Sequence, residues 1–589
     1  MNSSRRFFVA LAGFLAAYLG YGIVRFGLGV DFTDEGAYLA WPLRALFGEP
    51  IFTGDPLLLL RPLFPALAGL HRIAPGISLL DLRLLGWGIH LAAFATLATY
   101  LFRLSGATLQ SLLVASVSLF ACHIFGLASP SYNSISSDFL LIALSLRGIA
   151  GESTPEKNSL WLECGAGLAL FAATFAHPGL GLVALGFLAY ELWAQRLCSN
   201  LVARKLSASN MGVLLFVTGW LVVLLIFCGS GASGDWWHRL PLAQPRPRET
   251  LHDHPLAFFA VLLGYPFGYS RLAAIFTVLL VPTAGTVVLY WRSGKADFAA
   301  RAAFALTMLL IGSLIATFSY QPDFLPMGVV RAALVLVAVG WFYPAGKGPR
   351  VLLLLSVLAA LTYATLTYYF SPQRSWISGT LGLPFALAVG LTLLLRATSP
   401  RRGAGRVLVT MALALLVACV AREHYRNLYR DAPPAELAAT FQLPKLHGVR
   451  STPERIRAVE GLYAYLHPLL ARGEPLIAFD DCPLLYFIFS AKPAYGLTWA
   501  VRYTQSPTTL AQLNRELVDR PLPRFAIRTL VDLSHPVWVT APRTNYQNYP
   551  LNETILARYN LRHTIFPFEV WERKSPAALE KASPGRPPP

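Results

Sequence analysis

Long apolar segments separated by short polar loops fill the first 421 residues of the chain. A helix needs about 20 predominantly apolar residues to cross a bilayer core of roughly 30 Å, and about thirteen segments approach that length. They are 7–24, 79–102, 109–128, 134–149, 159–176, 178–195, 211–228, 272–291, 302–319, 328–344, 351–370, 380–396 and 407–421. This pattern predicts a polytopic α-helical membrane protein over residues 1–421.

The pattern changes after residue 421, where charged residues, prolines and short apolar runs replace the long apolar segments. This change predicts a separate domain over residues 422–575, followed by a proline-rich, disordered tail over 576–589. Within the domain, the short runs predict strands at 475–479 and 537–540, helices at 483–490 and 508–518, and a strand or hairpin at 564–571. The alternation of strands and helices indicates a small α/β domain.

The chain carries a formal net charge of +18, yet 55% of its residues are hydrophobic, 14% are charged and its mean hydropathy is +0.50. A soluble protein of this length is not so apolar. The basic residues are concentrated in every second short loop, as the positive-inside rule expects of cytoplasmic loops. They include Arg5, Arg6, Arg103, Arg147, Lys157, Arg196, Arg204, Lys205, Lys347, Arg350 and the segment 396–406. The charge therefore indicates membrane topology and does not indicate nucleic-acid binding.

The same rule predicts the side of the membrane on which each loop lies. With a cytoplasmic N-terminus and an odd number of spans, the C-terminal α/β domain is extracytoplasmic. The apolar stretch 256–270 is interpreted as an interfacial or re-entrant helix, because a span there would move Arg292, Lys295 and Arg301 outside. The first span is interpreted as retained, since no convincing signal-peptide cleavage site precedes Asp31.

The six cysteines lie mostly in or beside predicted spans and have no metal-ligand spacing. Neither a disulfide framework nor a zinc site is predicted. In the outer loop 229–255, His252 and His254 flank Asp253, an arrangement that fits a solvated turn better than a metal site. No cofactor is predicted, and no divalent metal can be assigned from the sequence.

The first outer loop, residues 25–78, contains the most informative charged residues. Asp34 and Glu35 follow the first span directly, and Arg61 lies among leucines later in the same loop. One interpretation is an interfacial helix from Glu35 to about Phe47, capped by Thr33 or Asp34, with solvated charges. The other is a functional site, because a cation among leucines usually has an anionic partner.

A carboxylate and a cation in one membrane-adjacent loop suit the displacement of a polyprenyl phosphate from the anomeric carbon of a sugar. The phosphate is already a good leaving group, so a cation that stabilises its developing charge replaces a general acid. One general base on the acceptor side is then sufficient. Since a carboxylate is a weak base at neutral pH, partial burial favours this role.

The acidic pair after the first span, the basic residue plus proline before the next one, the number of spans and the outward domain resemble the GT-C superfamily. Within it, the chain is similar to the protein O-mannosyltransferase and lipid A aminoarabinose transferase branch. The resemblance implies that Asp34 and Glu35 are the catalytic pair, with Asp34 as the catalytic aspartate and Glu35 as its acidic neighbour. It places Tyr38 on the aromatic that commonly follows and Arg61 on a position that contacts the donor phosphate.

The resemblance also implies further site residues in later loops. Asn133 and Asp138 stand near an acidic position of the second outer loop, and His177 stands where many members have a lysine that contacts the donor phosphate. Tyr320 and Arg331 resemble the late loop that closes on the donor. These assignments predict Arg61, His177 and Arg331 as phosphate ligands, and Tyr38, Asn133, Asp138 and Tyr320 as residues of the donor and acceptor cavity. For His177, a structural cap at a helix break is the alternative.

The function expected from these features is an inverting glycosyltransferase in a bacterial inner membrane. It moves a sugar from a polyprenyl-phosphate donor in the lipid bilayer to an envelope acceptor, which is a lipid, a polysaccharide or a protein. Two alternatives stay open: a transporter or flippase of a lipid-linked saccharide, and a non-catalytic assembly protein that retains the fold. Transporters usually show internal repeats and polar residues at mid-membrane, and neither is clear in this sequence.

Overall fold

The structure is a computed structural model that describes the following residues: 3–47, 63–122, 129–152, 158–198, 208–229, 271–320, 325–342, 347–370, 376–398, 403–426, 428–479, 482–495, 507–544 and 549–575. The predicted helix at 256–270, the loop residues 230–255, Arg61 and the tail lie outside these residues. The chain divides into two compact units. The helical unit comprises Met1–Gly22, Gly86–Gly126 and Tyr132–Arg426, and the α/β unit comprises Ile23–Leu85, Leu127–Ser131 and Asn427–Pro589.

Before residue 427, every described secondary-structure element longer than one turn is a helix. Its helices are α1 (Ser3–Phe26), α2 (Asp34–Leu46), α3 (Leu63–Ile73), α4 (Leu79–Ser105), α5 (Thr108–Cys122), α6 (Tyr132–Glu152), α7 (Asn158–Ala176), α8 (Gly181–Cys198), α9 (Ala208–Gly229), α10 (Arg271–Arg292), α11 (Ala296–Tyr320), α12 (Leu325–Phe342), α13 (Lys347–Phe370), α14 (Pro384–Thr398) and α15 (Gly403–Arg426). Short 3₁₀ helices at Pro178–Leu180 and Trp376–Gly382 precede α8 and α14. Each predicted span overlaps one of these helices.

By length and composition, five stretches of the described helices could cross a membrane: Ser3–Phe26, Leu79–Ser105, Tyr132–Gly151, Asp297–Ile315 and Gly403–Arg426. Further apolar helical stretches of 10–17 residues include Leu160–Ala176, Met211–Leu225 and Pro349–Thr365. Apolar side chains on α1, α9 and α15 are exposed, among them Val9, Leu225 and Met411. Such exposure is costly in water and favourable in lipid, so the helices fit a polytopic membrane protein.

Small residues allow helices of the helical unit to approach closely. A Cβ atom at Gly167 of α7 would lie 2.0 Å from the carbonyl oxygen of Gly212 of α9, and a Cβ at Gly212 would lie 2.4 Å from the carbonyl oxygen of Glu163. Only glycine fits on both sides of this crossing. Backbone contact of this kind is a common way of packing helices in lipid, where the hydrophobic effect does not drive association.

The α/β unit contains a five-stranded mixed sheet in the order β4-β3-β5-β7-β6. Strand β3 (Pro475–Phe479) pairs in parallel with β4 (Lys492–Pro493) and β5 (Phe525–Thr529), and β7 (Phe568–Arg573) pairs antiparallel with β5 and with β6 (Tyr559–Ile565). A separate antiparallel pair joins β1 (Ala439–Thr440) and β2 (Arg450–Ser451). The helices of this part are α16 (Pro453–Leu466), α17 (Leu484–Phe489), α18 (Pro507–Asp519) and α19 (Pro550–Arg558).

Four of the five elements predicted in the C-terminal domain are confirmed. The strand at 475–479 is β3, the helices at 483–490 and 508–518 are α17 and α18, and residues 564–571 span the turn of the β6–β7 hairpin. The strand predicted at 537–540 is wrong, because these residues form turns. Their apolar character has another cause, since Trp538 is fully buried in the core, where its ring lies edge-on to Phe32 and Phe568.

The first outer loop and the sheet of the α/β unit share one hydrophobic core. Phe32 and Leu39 belong to the same buried cluster as Leu476 of β3 and Ile527 of β5. In addition, the Leu484 amide of α17 donates to the Phe32 carbonyl oxygen at 3.1 Å. The predicted boundary at residue 421 followed composition, whereas the contacts group residues 23–85 with the C-terminal segment. These contacts fix the position of the acidic pair at the start of α2.

Candidate functional site

Asp34 lies in the first turn of α2, where two consecutive residues of the C-terminal segment, Tyr429 and Arg430, contact it. The Tyr429 hydroxyl donates to Asp34 Oδ2 at 2.5 Å, and Arg430 Nη2 lies 3.2 Å from the same oxygen. The Asp34 side chain is 19% exposed. The partial burial expected of this carboxylate is therefore found, and its orientation is set by two donors.

Arg430 lies between two carboxylates of the first outer loop. Its Nη1 is 4.0 Å from Asp31 Oδ1 and donates to the Thr33 hydroxyl, while its Nη2 pairs with Asp34. The guanidinium carbon also lies 4.7 Å from the centroid of the Tyr429 ring. Because this cation is 14% exposed, its attraction for both carboxylates is screened less than that of a surface pair.

Thr33 occupies the predicted N-cap position of α2, but the side chain that accepts from the helix amides is that of Asp31 and not that of Thr33 or Asp34. Asp31 Oδ2 accepts from the Glu35 amide at 2.9 Å, and its Oδ1 accepts from the Thr33 amide at 3.0 Å and the Thr33 hydroxyl at 2.6 Å. The Thr33 carbonyl accepts the first helical bond, from the Ala37 amide at 2.7 Å. A capping carboxylate satisfies amides that the helix leaves unpaired, so the Asp34 side chain serves another purpose.

Asp31 is expected to make stability depend on pH. Burial raises its pKa from 3.8 to about 6; Arg430 opposes this rise and Asp34 adds to it. The folded chain therefore binds more protons than the unfolded chain between about pH 4 and 6. This contribution to stability is full below about pH 4 and is lost as the pH rises through about 6. The loss amounts to about 3 kcal/mol at most.

Thermal unfolding of the detergent-solubilised protein, measured between about pH 3.5 and 7.5, tests this expectation. The midpoint of the wild type should fall relative to that of Asp31→Asn as the pH rises, because asparagine cannot ionise. Asp81→Asn is the control: it removes an exposed carboxylate in the first turn of α4 that accepts from the Ser78 amide and hydroxyl, and it should not reproduce this fall. Parallel curves for Asp31→Asn would contradict the assignment.

Glu35, the acidic neighbour, is held in a buried ion pair. Its carboxylate is 1% exposed and accepts from Arg83 Nε at 2.9 Å and Arg83 Nη2 at 2.6 Å. The Ser129 hydroxyl also donates to Glu35. Arg83 in turn donates to the carbonyl oxygens of Phe26 at 2.6 Å and Gly29 at 2.9 Å. Through this bidentate pair and its two carbonyl contacts, Arg83 of α4 connects α2 with the end of α1 within the α/β unit.

A second buried ion pair holds the backbone that carries Tyr429 and Arg430. Asp431 Oδ1 lies 3.2 Å from Arg455 Nη1 of α16, and both side chains are fully buried. Asp431 Oδ2 accepts from the Val30 amide at 2.7 Å and from the Ser451 hydroxyl at 2.9 Å. The Arg455 guanidinium carbon lies 4.7 Å from the centroid of the Trp538 ring. The residue that follows the two contact partners of Asp34 is thus fixed by buried hydrogen bonds and an ion pair.

The remaining predicted site residues fall into three groups. Tyr38 is buried on α2 in the α/β unit. Asn133, Asp138 and His177 belong to the helical unit. Tyr320 ends α11 and Arg331 lies in α12, but the structure describes only their backbone, and Arg61 lies outside the described residues.

Within the helical unit, two predicted residues contact polar or aromatic partners. Asp138 Oδ1 lies 3.0 Å from Nδ1 of His90, and both side chains are buried. The ring of His177 lies 5.5 Å from that of Tyr132 and 5.1 Å from that of Tyr363. The alternative for His177 is a helix cap. The residue does stand at the N-cap position of the 3₁₀ helix, where its carbonyl oxygen accepts from the Leu180 amide at 2.9 Å, but its side chain makes no capping bond within the described residues.

Asn133 lies in the first turn of α6, and its carbonyl oxygen accepts from the Ser136 hydroxyl at 3.1 Å. Its side-chain oxygen is buried and has no hydrogen-bond partner among the described residues. A buried acceptor of this kind costs free energy unless a donor reaches it. An amide in this state can accept a hydrogen bond from a polar ligand.

Sequence reasoning missed the residues that contact the acidic pair. Tyr429 and Arg430, and Arg455, which donates to the Arg430 carbonyl oxygen, are in the C-terminal segment and carry no local signal that relates them to Asp34. Arg83 gave a usable signal, since a charged residue early in an apolar helix usually has a partner. In the part of the chain that the structure describes, no three His, Cys, Asp or Glu side chains are grouped so that they could hold a metal ion.

The fold and these contacts define a helical membrane protein with an α/β unit whose core fixes an acidic site. No protein-family model and no curated protein matches the chain. Among solved structures, it is similar to ArnT from Cupriavidus metallidurans bound to undecaprenyl phosphate, with 11% identity over 95% of this chain and 97% of that chain and a TM-score of 0.41. The apo state of the same protein gives 12% identity over 99% and 100%, with a TM-score of 0.40. ArnT is a lipid A aminoarabinose transferase, the branch that the sequence pattern of this chain resembles.

Proposed function

We propose that this protein is an inverting glycosyltransferase that moves a sugar from a polyprenyl-phosphate donor to an envelope acceptor. The observation that supports the proposal best is the environment of Asp34, a partly buried carboxylate oriented by Tyr429 and Arg430. The residue pattern of the first outer loop, which resembles that of GT-C enzymes, supports it independently. The proposed location is the extracytoplasmic side of a bacterial inner membrane, with the N-terminus in the cytoplasm.

In the proposed reaction, Asp34 accepts the proton of the acceptor hydroxyl while the acceptor oxygen forms a bond to the anomeric carbon. The bond from that carbon to the phosphate oxygen breaks, and the polyprenyl phosphate leaves with the electron pair. Attack from the side opposite the leaving group inverts the anomeric configuration. A positioned base contributes about 10²- to 10⁴-fold to such a transfer, and a cation near the phosphate stabilises the charge that develops there.

The other residues take supporting roles in this proposal. Glu35, which the sequence resemblance placed in the catalytic pair, is proposed as a positioning residue instead, because its pairing with Arg83 fixes the first turn of α2 next to Asp34. Arg61, His177 and Arg331 are the proposed ligands of the donor phosphate, as the family resemblance implies. Tyr38, Asn133, Asp138 and Tyr320 are proposed to line the donor and acceptor cavity. The Asn133 side-chain oxygen, which is buried without a partner in the part of the chain that the structure describes, is suited to a sugar hydroxyl.

Replacement of Asp34 by asparagine tests the proposal. A deletion strain is complemented with the wild type, Asp34→Asn or Asp81→Asn at matched membrane levels, and its envelope glycolipids, polysaccharides and glycoproteins are analysed by mass spectrometry. We expect one sugar to be lost on deletion and restored by the wild type and Asp81→Asn. Asp34→Asn should restore about 1% of it or less, because asparagine cannot accept the proton.

Full restoration by Asp34→Asn would refute the role of this carboxylate as general base. A transporter would then be indicated if labelled lipid-linked saccharide crosses the membrane without transfer, and an assembly protein if neither process depends on the chain. The mass lost on deletion also identifies the class of sugar, and the molecule that loses it identifies the acceptor.

A further inference from the structure

We infer that Tyr429 and Arg430, at the start of the C-terminal segment, are positioning residues for Asp34, and that the C-terminal domain completes the active site by holding them. This inference rests on the proposed function. It assigns a role to the C-terminal domain, which neither composition nor motif could supply. The two residues are separated from Asp34 by about 395 positions in sequence and belong to the same compact unit.

Two donors converge on one oxygen of Asp34. The Tyr429 hydroxyl and the Arg430 guanidinium both contact Oδ2 of Asp34, at 2.5 and 3.2 Å. One donor would leave the carboxylate able to turn about its last side-chain bond, whereas two donors from adjacent residues restrict that rotation. A base must be held in the geometry of attack, since a displacement of 1 Å can cost about 100-fold in rate.

The backbone at Arg430 supports the same role, because it has a φ of 56°. A non-glycine residue in this left-handed region is strained. Glycine would adopt the same conformation without strain. The presence of an arginine is accounted for by its side chain, which reaches Thr33 and the two carboxylates Asp31 and Asp34.

Arg455 maintains this conformation through hydrogen bonds and an ion pair. Arg455 Nη2 donates to the Arg430 carbonyl oxygen at 3.1 Å and to the His535 carbonyl oxygen at 2.7 Å, and Arg455 Nη1 pairs with Asp431. Asp431 in turn accepts from the Val30 amide just before Asp31. One fully buried arginine of α16 thus connects the strained turn to the segment that carries the acidic residues.

Charge gives this arrangement a measurable signature. Among the described residues, titratable groups in contact with the Arg430 guanidinium include Asp31, Asp34 and Tyr429. The other charged groups nearby, the pairs Glu35–Arg83 and Asp431–Arg455, neutralise each other. Removal of the Arg430 cation would leave two carboxylates close together, and like charges make ionisation of such a pair harder. The acidic limb of the activity profile would then move to higher pH.

The experiment measures initial transfer rates of the full-length protein in lipid nanodiscs. The substrate is a membrane extract of the deletion strain, which retains unused donor and unmodified acceptor, and product is quantified by mass spectrometry against extract dilution and pH. The variants are Arg430→Met, Arg430→Lys, Tyr429→Phe and Asp34→Asn. Arg562→Met, at an arginine that is 58% exposed and pairs with Glu572 on the surface, is the control for loss of a paired arginine.

We expect Arg430→Met to lower kcat by about 10- to 100-fold with little change in the apparent KM, and to move the acidic limb of the profile upward by about one pH unit or more. Arg430→Lys should return the limb to its wild-type position, because it restores the charge, while recovering only part of kcat. Tyr429→Phe should lower kcat by roughly tenfold. Arg562→Met should match the wild type.

A purely structural role for Arg430 would reduce the active fraction equally at every pH. An unshifted acidic limb in Arg430→Met, with Asp34→Asn inactive, would therefore overturn this inference and leave the proposed function intact. Activity of Asp34→Asn equal to the wild type would overturn the proposed function itself. The two failures are thus distinguishable in one set of measurements.

Discussion

Replacement of Gly36 by alanine is expected to destabilise the α/β unit by about 3 kcal/mol or more. A Cβ atom at this position would lie 2.2 Å from the Leu484 amide nitrogen and 2.7 Å from its Cα. Both are backbone atoms of α17, and the Leu484 amide also donates to the Phe32 carbonyl. Neither element can therefore withdraw without breaking a hydrogen bond and opening the shared core.

The matched control for this change is Gly69→Ala in α3. No atom lies within 4 Å of a Cβ built at Gly69, and alanine favours a helix over glycine by up to about 1 kcal/mol. We expect Gly69→Ala to unfold at or slightly above the wild-type temperature and Gly36→Ala to unfold well below it or to aggregate during extraction. Equal thermal midpoints for the two variants would show that α2 and α17 do not pack as closely as described.

Removal of Arg83 is expected to have the second large effect on stability. Arg83→Met would leave the Glu35 carboxylate buried without its bidentate partner, and breaking a buried ion pair in this way costs about 3–5 kcal/mol. The carbonyl oxygens of Phe26 and Gly29 would lose a donor as well. Thermal unfolding and the yield of monodisperse protein after detergent extraction measure the loss.

Two further variants separate the ion pair from general disruption. The double variant Arg83→Met with Glu35→Gln removes both charges, so it should recover part of the loss, because an unpaired buried charge is the main cost. Arg562→Met removes a surface arginine and should change stability by less than about 1 kcal/mol. A loss in Arg83→Met no larger than in Arg562→Met would contradict the buried-pair description.

The two ion pairs have different consequences for the proposed enzyme. Glu35–Arg83 fixes the start of α2 from one side, and Asp431–Arg455 fixes the Tyr429–Arg430 turn from the other. Glu35 pairs with Arg83 and Asp431 pairs with Arg455, so the proposed role of both pairs is to position the backbone on either side of the Asp34 contact. Their effect on activity should therefore pass through the position of Asp34, whereas replacement of Asp34 itself removes the base.

The sequence by itself determined the elements whose cause is local. Apolar length predicted the spans, because a helix in lipid must cover the bilayer core with its own side chains. Alternation of short apolar runs predicted β3, α17, α18 and the β6–β7 hairpin, since a strand or short helix with one buried face has its own period. The acidic pair Asp34–Glu35 after the first span was likewise visible, as a polar exception at a predicted membrane boundary.

Only the tertiary structure decided which residues contact Asp34 and Glu35. Tyr429 and Arg430 approach Asp34 from the other end of the chain, and no periodicity encodes a contact over such a separation. The same limit explains the choice of the Asp31 side chain as the acceptor for the α2 amides in place of that of Thr33 or Asp34, because the three polar side chains lie within four residues and packing selects among them. It also explains the turn at residues 537–540, where Trp538 is apolar because it fills the core and not because it lies in a strand.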